Sequence, residues 1–201
     1  MQTCLHPEGI TEVGLDEAGR GPAFGRVYAA AVIWPAGLTS DLIRDSKSIP
    51  SETAMAAGYA YVMQHALAVS VAYATEAEID QWNILQADMV AMHRALDGLS
   101  LPVQHILVDG NYFRPYRDIP YTTVVKGDSK FYAIAAASIV AKYTRDKYIT
   151  DLCAAEPDLN RKYGLIRNKG YPTKAHLAGI KAYGISVYHR KTFRCCSAPV
   201  V

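Results

Sequence analysis

One segment limits the possible folds more than any other: "AIAAASIVAKYTRDKYITDL", residues 133–152. It contains neither glycine nor proline, and its residue types favour a long helix. Up to Ala141 it is alanine-rich and apolar apart from Ser138, whereas the remainder is rich in charge. Methyl-sized side chains let a helix axis come close to a neighbouring layer. A helix of this kind calls for a sheet to lie against.

The strands for that sheet are legible. Residues 12–16 read as a short strand, and "RVYAAAVIW" (26–34) as a second, rich in β-branched and aromatic residues. The glycine-rich link between them looks short, which predicts an antiparallel hairpin. Residues 66–75, 104–111 and 121–130 supply three more extended segments. Between them, Ser51 followed by Glu52 marks a helix start, with the helix running to about His65. Thr75 with Glu78 forms a capping-box pattern. Behind it Ile79, Trp82, Leu85, Met89, Met92 and Leu96 recur at helical spacing, as a core-facing stripe does. The region "YGLIRNKGYPT" (163–173) reads as loop, followed by a short helix over 174–182 and a tail. The order of elements describes an α/β layer fold with a mixed five-stranded sheet flanked by helices.

The chain has 201 residues, half of them hydrophobic and a fifth charged, with no repeat or low-complexity block. One domain over 1–201 is expected, with a helical C-terminal extension from about 150 to 201. A net charge of +2 permits a nucleic-acid partner without demanding one. Cys4, Cys153, Cys195 and Cys196 show no metal-type spacing, so free thiols in a reducing cytoplasm are expected. No signal peptide is evident, and the most apolar run, "VYAAAVIW", is too short to span a bilayer.

The chemistry lies in the acids. Asp16 and Glu17 close the first strand, Asp109 closes the fourth, and Asp128 follows the fifth on the way into the long helix. Strand ends near the sheet centre are where ligand sites gather in such folds. Converging carboxylates suit hard divalent cations such as Mg²⁺ or Mn²⁺, two of which can drive phosphodiester hydrolysis. Without metal the acids repel one another and are expected to be partly protonated. Taken singly, Asp109-Gly110 is an ordinary turn dipeptide and Asp128 an ordinary helix-start acid. Their conjunction with Asp16-Glu17 is what points to a site.

Gly19, Gly21 and Gly25 loosely imitate a dinucleotide fingerprint. That motif must open a helix, however, and here Pro22 and a strand follow. "VKGDSK" likewise lacks the order of a phosphate-binding Walker loop. What the turn offers is bare backbone that can approach a ligand, with Arg20 adding charge.

Together these residues resemble type 2 ribonuclease H (ribonuclease HII). The resemblance is carried by "GLDEAGRGP", "DSK" (45–47), "EIDQWNIL" (78–85), "ILVDGN" (106–111) and "VVKGDSKFYAIAAASIVAKYTRD" (124–146). It continues in "NKGYPTKAHLAGIKAYG" (168–184) and "YHRKTF" (188–193), spanning nearly the whole chain in order. It implies a ribonuclease H-like fold and a metal-dependent endoribonuclease. Such an enzyme cuts RNA in RNA–DNA hybrids and at single ribonucleotides embedded in DNA, leaving 3′-hydroxyl and 5′-phosphate ends. By the same resemblance Asp16, Glu17, Asp109 and Asp128 form the metal site, with Asp16 bridging two ions. Gly19, Arg20 and Gly21 read the 2′-hydroxyl, the group that separates RNA from DNA. Tyr171 stacks on the following deoxyribose.

Lys47, Lys142 and Arg145 are candidate phosphate contacts, Ser46 and Ser138 candidate hydroxyl donors, and Asn83 a candidate DNA-backbone contact. His176 and His189 receive no catalytic role. Asn168 stands where many relatives carry histidine, and Arg26 where smaller or apolar residues are frequent. The short leader before Asp16 favours type 2 over type 3 relatives. A monomer is expected, and no clear clamp-binding motif is evident after Phe193. Two rivals differ in class: a metal-free glycoside hydrolase using two acids, and a non-catalytic hybrid-binding module.

Overall fold

The computed structural model describes residues 1–6 and 9–197. Five strands form one sheet: β1 (Glu12–Ala18), β2 (Val27–Ile33), β3 (Ala68–Ala74), β4 (His105–Asp109) and β5 (Tyr121–Val124). Their order is β3-β2-β1-β4-β5. The first three pair antiparallel, while β4 joins β1 and β5 joins β4 in parallel. This is the mixed α/β sheet expected from the sequence.

Strand β2 is buried along its whole length because both faces are covered. Val27, Ala29, Ala31 and Ile33 enter the core on one side, and Ala30 and Val32 the core on the other. The first core is closed by α2 (Glu76–Asp97) and the second by α3 (Tyr132–Ala155). The alanine-rich half of α3 behaves as its composition predicts. A Cβ built on Gly14 in β1 would lie 2.1 Å from the carbonyl carbon of Ala133, so the helix backbone rests directly on the strand. Between β2 and β3, α1 (Glu52–His65) begins at Ser51, whose side chain accepts from the Ala54 N–H.

The Thr75–Glu78 capping box is present at the start of α2. The helix then kinks at Asn83, whose φ of 67° is left-handed. Its side-chain oxygen accepts from the N–H groups of Leu85 and Gln86 and so restarts the helix after the break.

Three readings of the sequence need correction. The β1–β2 link is not a tight turn, since it runs from Gly19 to Arg26 before the strands pair again at Ala18 and Tyr28. Asp128 does not enter the long helix. It sits in a single 3₁₀ turn, Gly127–Ser129, and α3 starts only at Tyr132. Finally, the stretch 163–173, read as loop, contains the short helix α5 (Leu165–Asn168), which follows α4 (Pro157–Tyr163) and precedes α6 (Lys174–Tyr183) and α7 (Arg194–Ser197). Pro157 opens α4 where no N–H is needed, and Gly164, at φ 64°, ends it. These short helices bury Leu159, Tyr163, Leu165 and Ile180 with Phe24 and Ile149. Residues 198–201, part of the expected extension, lie outside the described residues. No described helix is long and apolar enough to cross a membrane.

Candidate active site

The strand period places the acids. Along β1, Val13 and Leu15 face the α2 core, so Asp16 faces the α3 side and Glu17 turns back toward α2. Strand β4 runs parallel beside it with Leu15 opposite Val108, which puts Asp109 next to Asp16. The 3₁₀ turn brings Asp128 to the same place. One carboxylate oxygen from each of Asp16, Asp109 and Asp128 lies within 4.8 Å of the others. Glu17 lies outside this set, with Oε1 3.6 Å from Arg20 Nη1.

The cluster is electrostatically strained. Asp16 and Asp128 are each only 4% exposed. Burial, then the charges of Glu17 and Asp109, push the Asp16 pKa well above the usual carboxylate range. Burial and the Asp109 charge also raise Asp128, and burial raises Glu17 despite Arg20 nearby. The relief within the chain is small. The Glu17 N–H donates to Asp16 Oδ1 at 2.7 Å, the Gly127 N–H donates to Asp109 Oδ1 at 2.7 Å, and Lys47 Nζ stands 3.8 Å from Asp128 Oδ2. Three hard oxygen donors from separate segments, held close against mutual repulsion, fit a divalent cation.

Beside the acids, the Gly19–Gly25 turn is held from beneath. Arg190 is fully buried and donates to four of the turn's carbonyls: Nη2 to Gly19, Nη1 to Arg20 and Pro22, and Nε to Gly25, at 2.6–3.1 Å. Gly19 has φ +101°, and a Cβ there would sit 2.3 Å from Arg145 Nε. Only glycine fits both constraints. A Cβ on Gly21 would lie 3.2 Å from Cε1 of Tyr171, so the turn and this tyrosine are in contact. Tyr171 itself is 47% exposed.

The tyrosine's backbone is fixed by a histidine pair. His176 Nδ1 lies 3.0 Å from the Tyr171 carbonyl and must donate, leaving Nε2 to accept. His189 Nε2 then donates to it at 3.1 Å, and His189 Nδ1 accepts from the Ser186 N–H at 2.9 Å. Every ring nitrogen has one compatible role only if both rings are neutral. Burial, chiefly, lowers both pKa values, that of His189 to about 4.

The remaining sequence candidates fall into two groups. Lys47 and Lys142 line a groove of about 470 Å³ together with Lys147 and Lys169, next to the acids. Lys142 pairs with Asp146 one turn on. Ser46 and Ser138 are buried and bonded to each other at 2.8 Å, joining the 45–47 segment to α3. Asn83 is exposed at the α2 kink. Arg145 departs from expectation. It is 1% exposed, and its Nη2 donates to the Lys169 carbonyl at 2.8 Å, so it braces the turn from within rather than lying open to a phosphate. Asn168 is also committed internally: its amide donates to the Tyr163 carbonyl, and its oxygen accepts from the Gly170 N–H.

Sequence reasoning missed Asp88 and Arg190. Asp88 is wholly buried on α2 beside Arg20. The signal was present, because residue 88 falls three after Leu85 and four before Met92, on the apolar stripe. Arg190 gave no comparable sign, because its four acceptors are backbone carbonyls at the other end of the chain.

The model of the family described as Ribonuclease HII matches residues 13–196. A ribonuclease HII of Phocaeicola vulgatus is 50% identical over 184 residues, covering 92% of this chain and 89% of that one. Among solved structures, the ribonuclease H2 of Pyrococcus horikoshii superposes with a TM-score of 0.75 at 23% identity, covering 94% and 96% of the two chains. Bst-RNase HIII in complex with Mn²⁺ superposes at 0.70 with 20% identity, covering 94% of this chain and 68% of that one. The fold is thus shared at 20–23% identity, and half of the sequence with the Phocaeicola vulgatus relative. The chain belongs to the ribonuclease HII family and is an endonuclease of the ribonuclease H class, whose members cleave RNA in RNA–DNA hybrids.

Proposed function

We propose that this chain is a metal-dependent ribonuclease that cuts hybrids and also single ribonucleotides embedded in duplex DNA, removing them during repair and replication. The carrying observation is the set of three acids within 4.8 Å of one another, placed beside a glycine turn in contact with Tyr171. Mg²⁺ or Mn²⁺ bound there would supply Lewis-acid activation of water and neutralise charge on the departing oxygen. Asp16, Asp109 and Asp128 would hold the ions, and Glu17 would add a fourth carboxylate from the end of β1. Gly19, Arg20 and Gly21 present backbone groups to a 2′-hydroxyl, and the Tyr171 ring lies flat against the next sugar, where an added hydroxyl would not fit. Lys47 and Lys142 in the groove, with Lys169, give the strand's phosphates a positive path, and Asn83 contacts the backbone near the α2 kink.

Water adds to the phosphorus on the 5′ side of the ribonucleotide and the bond to the preceding 3′-oxygen breaks, giving 3′-hydroxyl and 5′-phosphate ends. No protein nucleophile is required. We read residues 1–201 as one monomeric catalytic domain acting in the cytoplasm.

The test is incubation with duplex DNA carrying one ribonucleotide, with Mg²⁺, with Mn²⁺ and with chelator. Cutting at the ribonucleotide that chelator stops is expected, and no cut under either metal sinks the reading.

A further inference from the structure

Asp88 sits on the core face of α2 with a side chain 0% exposed, and neither of its carboxylate oxygens has a hydrogen-bond partner among the described residues. A buried carboxylate without hydrogen bonds is among the costliest groups a core can hold. Its neighbours on α2, Ala87, Met89, Ala91 and Met92, are apolar, so helix packing does not call for it.

What Asp88 does face is Arg20. Arg20 Nε stands 3.6 Å from Asp88 Oδ2, while Nη1 of the same guanidinium stands 3.6 Å from Glu17 Oε1. Both separations suit ion pairs and both exceed ordinary hydrogen bonds. Arg20 is therefore drawn toward two carboxylates, each standing 3.6 Å from one of its nitrogens. Its side chain is 48% exposed, and its N–H groups remain available for an incoming oxygen. This arrangement differs from the turn's backbone, which Arg190 fixes by direct hydrogen bonds.

We propose that Asp88 is a positioning residue. By the 3.6 Å approach of its carboxylate it steers the Arg20 guanidinium against the α2 side of β1, so that the 2′-hydroxyl-reading turn meets the substrate with its cation oriented. The inference rests on the proposed role of that turn. Burial, then the charge of Glu17, raise the Asp88 pKa, against the opposing charges of Arg20 and Arg190.

The experiment is a double-mutant cycle of D88N and R20A, with D88S as a second uncharged variant, on a single-ribonucleotide duplex. Cleavage with Mn²⁺ and metal-free duplex binding by anisotropy are both read, along with the thermal midpoint. D88N and D88S are expected to raise KM about five- to tenfold, with kcat within about twofold of wild type. Neither is expected to lower the thermal midpoint. In the R20A background D88N is expected to add nothing. Unchanged KM and binding in D88N and D88S, or a further full loss on top of R20A, would overturn the proposal. Parallel losses in kcat and thermal midpoint would do the same, since they mark a purely structural residue. Failure of the wild type to cut would sink the proposed activity alone, because the binding cycle still reads the coupling of Asp88 to Arg20.

Discussion

The acid cluster and the glycine turn adjoin, yet they are built on opposite principles. Around Asp16, Asp109 and Asp128 the protein leaves charge uncompensated, with pKa values of the buried members driven up. Around Gly19–Gly25 it over-determines the backbone. Arg190 supplies four donated bonds, the Arg190 N–H donates to the Ala23 carbonyl, and the Ala23 N–H donates to the Gly170 carbonyl. The first region is incomplete by itself and favours a cation. The second is complete by itself and offers a fixed shape. Chemistry and recognition thus make different demands: one needs a site that gains from its ligand, the other a surface that does not yield to the wrong one.

The strongest way to break this contrast is at Asp109. Asp109→Asn is expected to slow single-turnover cleavage by about 10³-fold or more while hybrid binding changes only a few-fold. A rate within tenfold of wild type would remove Asp109 from the metal site. Next in size is Arg190→Gln, which strands several buried carbonyls and is expected to cost about 3 kcal/mol of stability in urea titrations. A loss below about 1 kcal/mol would show that the turn holds its shape without its clamp.

Titration sharpens the comparison because the two regions respond with opposite sign. The His189 pKa is about 4 in the fold, against about 6.5 for a free histidine. Its neutral state is therefore fully stabilising above pH about 6.5. That contribution is lost as pH falls toward 4, by about 3 kcal/mol over the window. The acids, whose pKa values are raised, move the other way and relieve the fold as they take up protons. The difference in stability slope between wild type and His189→Gln, in metal-free buffer from pH 7 to 4.5, isolates the histidine part. Equal slopes would refute a neutral pair.

Tyr171→Ala is expected to cut junction cleavage about tenfold more than cleavage within an RNA tract. Equal losses on both substrates would refute its role as a sensor. The smallest change in stability is expected at Asp16→Asn, which should raise metal-free stability by about 1 kcal/mol. A destabilised variant would mean that the cluster is not strained.

How much of this was legible in the sequence depended on distance along the chain. The capping box at Thr75 and the start of α1 at Ser51 follow from contacts three residues apart, and both are where the pattern places them. The positions of Asp16, Asp109 and Asp128 followed from strand ends, but the turning of Glu17 to the opposite face needed the register of β1. The helix of 165–168 was not legible because it is one turn long and follows Gly164, where a loop reading is natural. Arg145 carried the pattern of a surface cation. Only the fold shows its guanidinium beneath Gly19, 126 positions away in sequence.

The seating of α3 on Gly14 has a further consequence. Gly14 lies two residues before Asp16, and the helix that rests on it carries Ser138, which sits close enough to lower the Asp16 pKa. The gap between strand and helix is thus set by a missing side chain rather than by any contact within the site. A methyl group at position 14 would act as a shim. It would enter none of the chemistry, yet it would lift one jaw of the site off the other and spoil the alignment of groups it never touches.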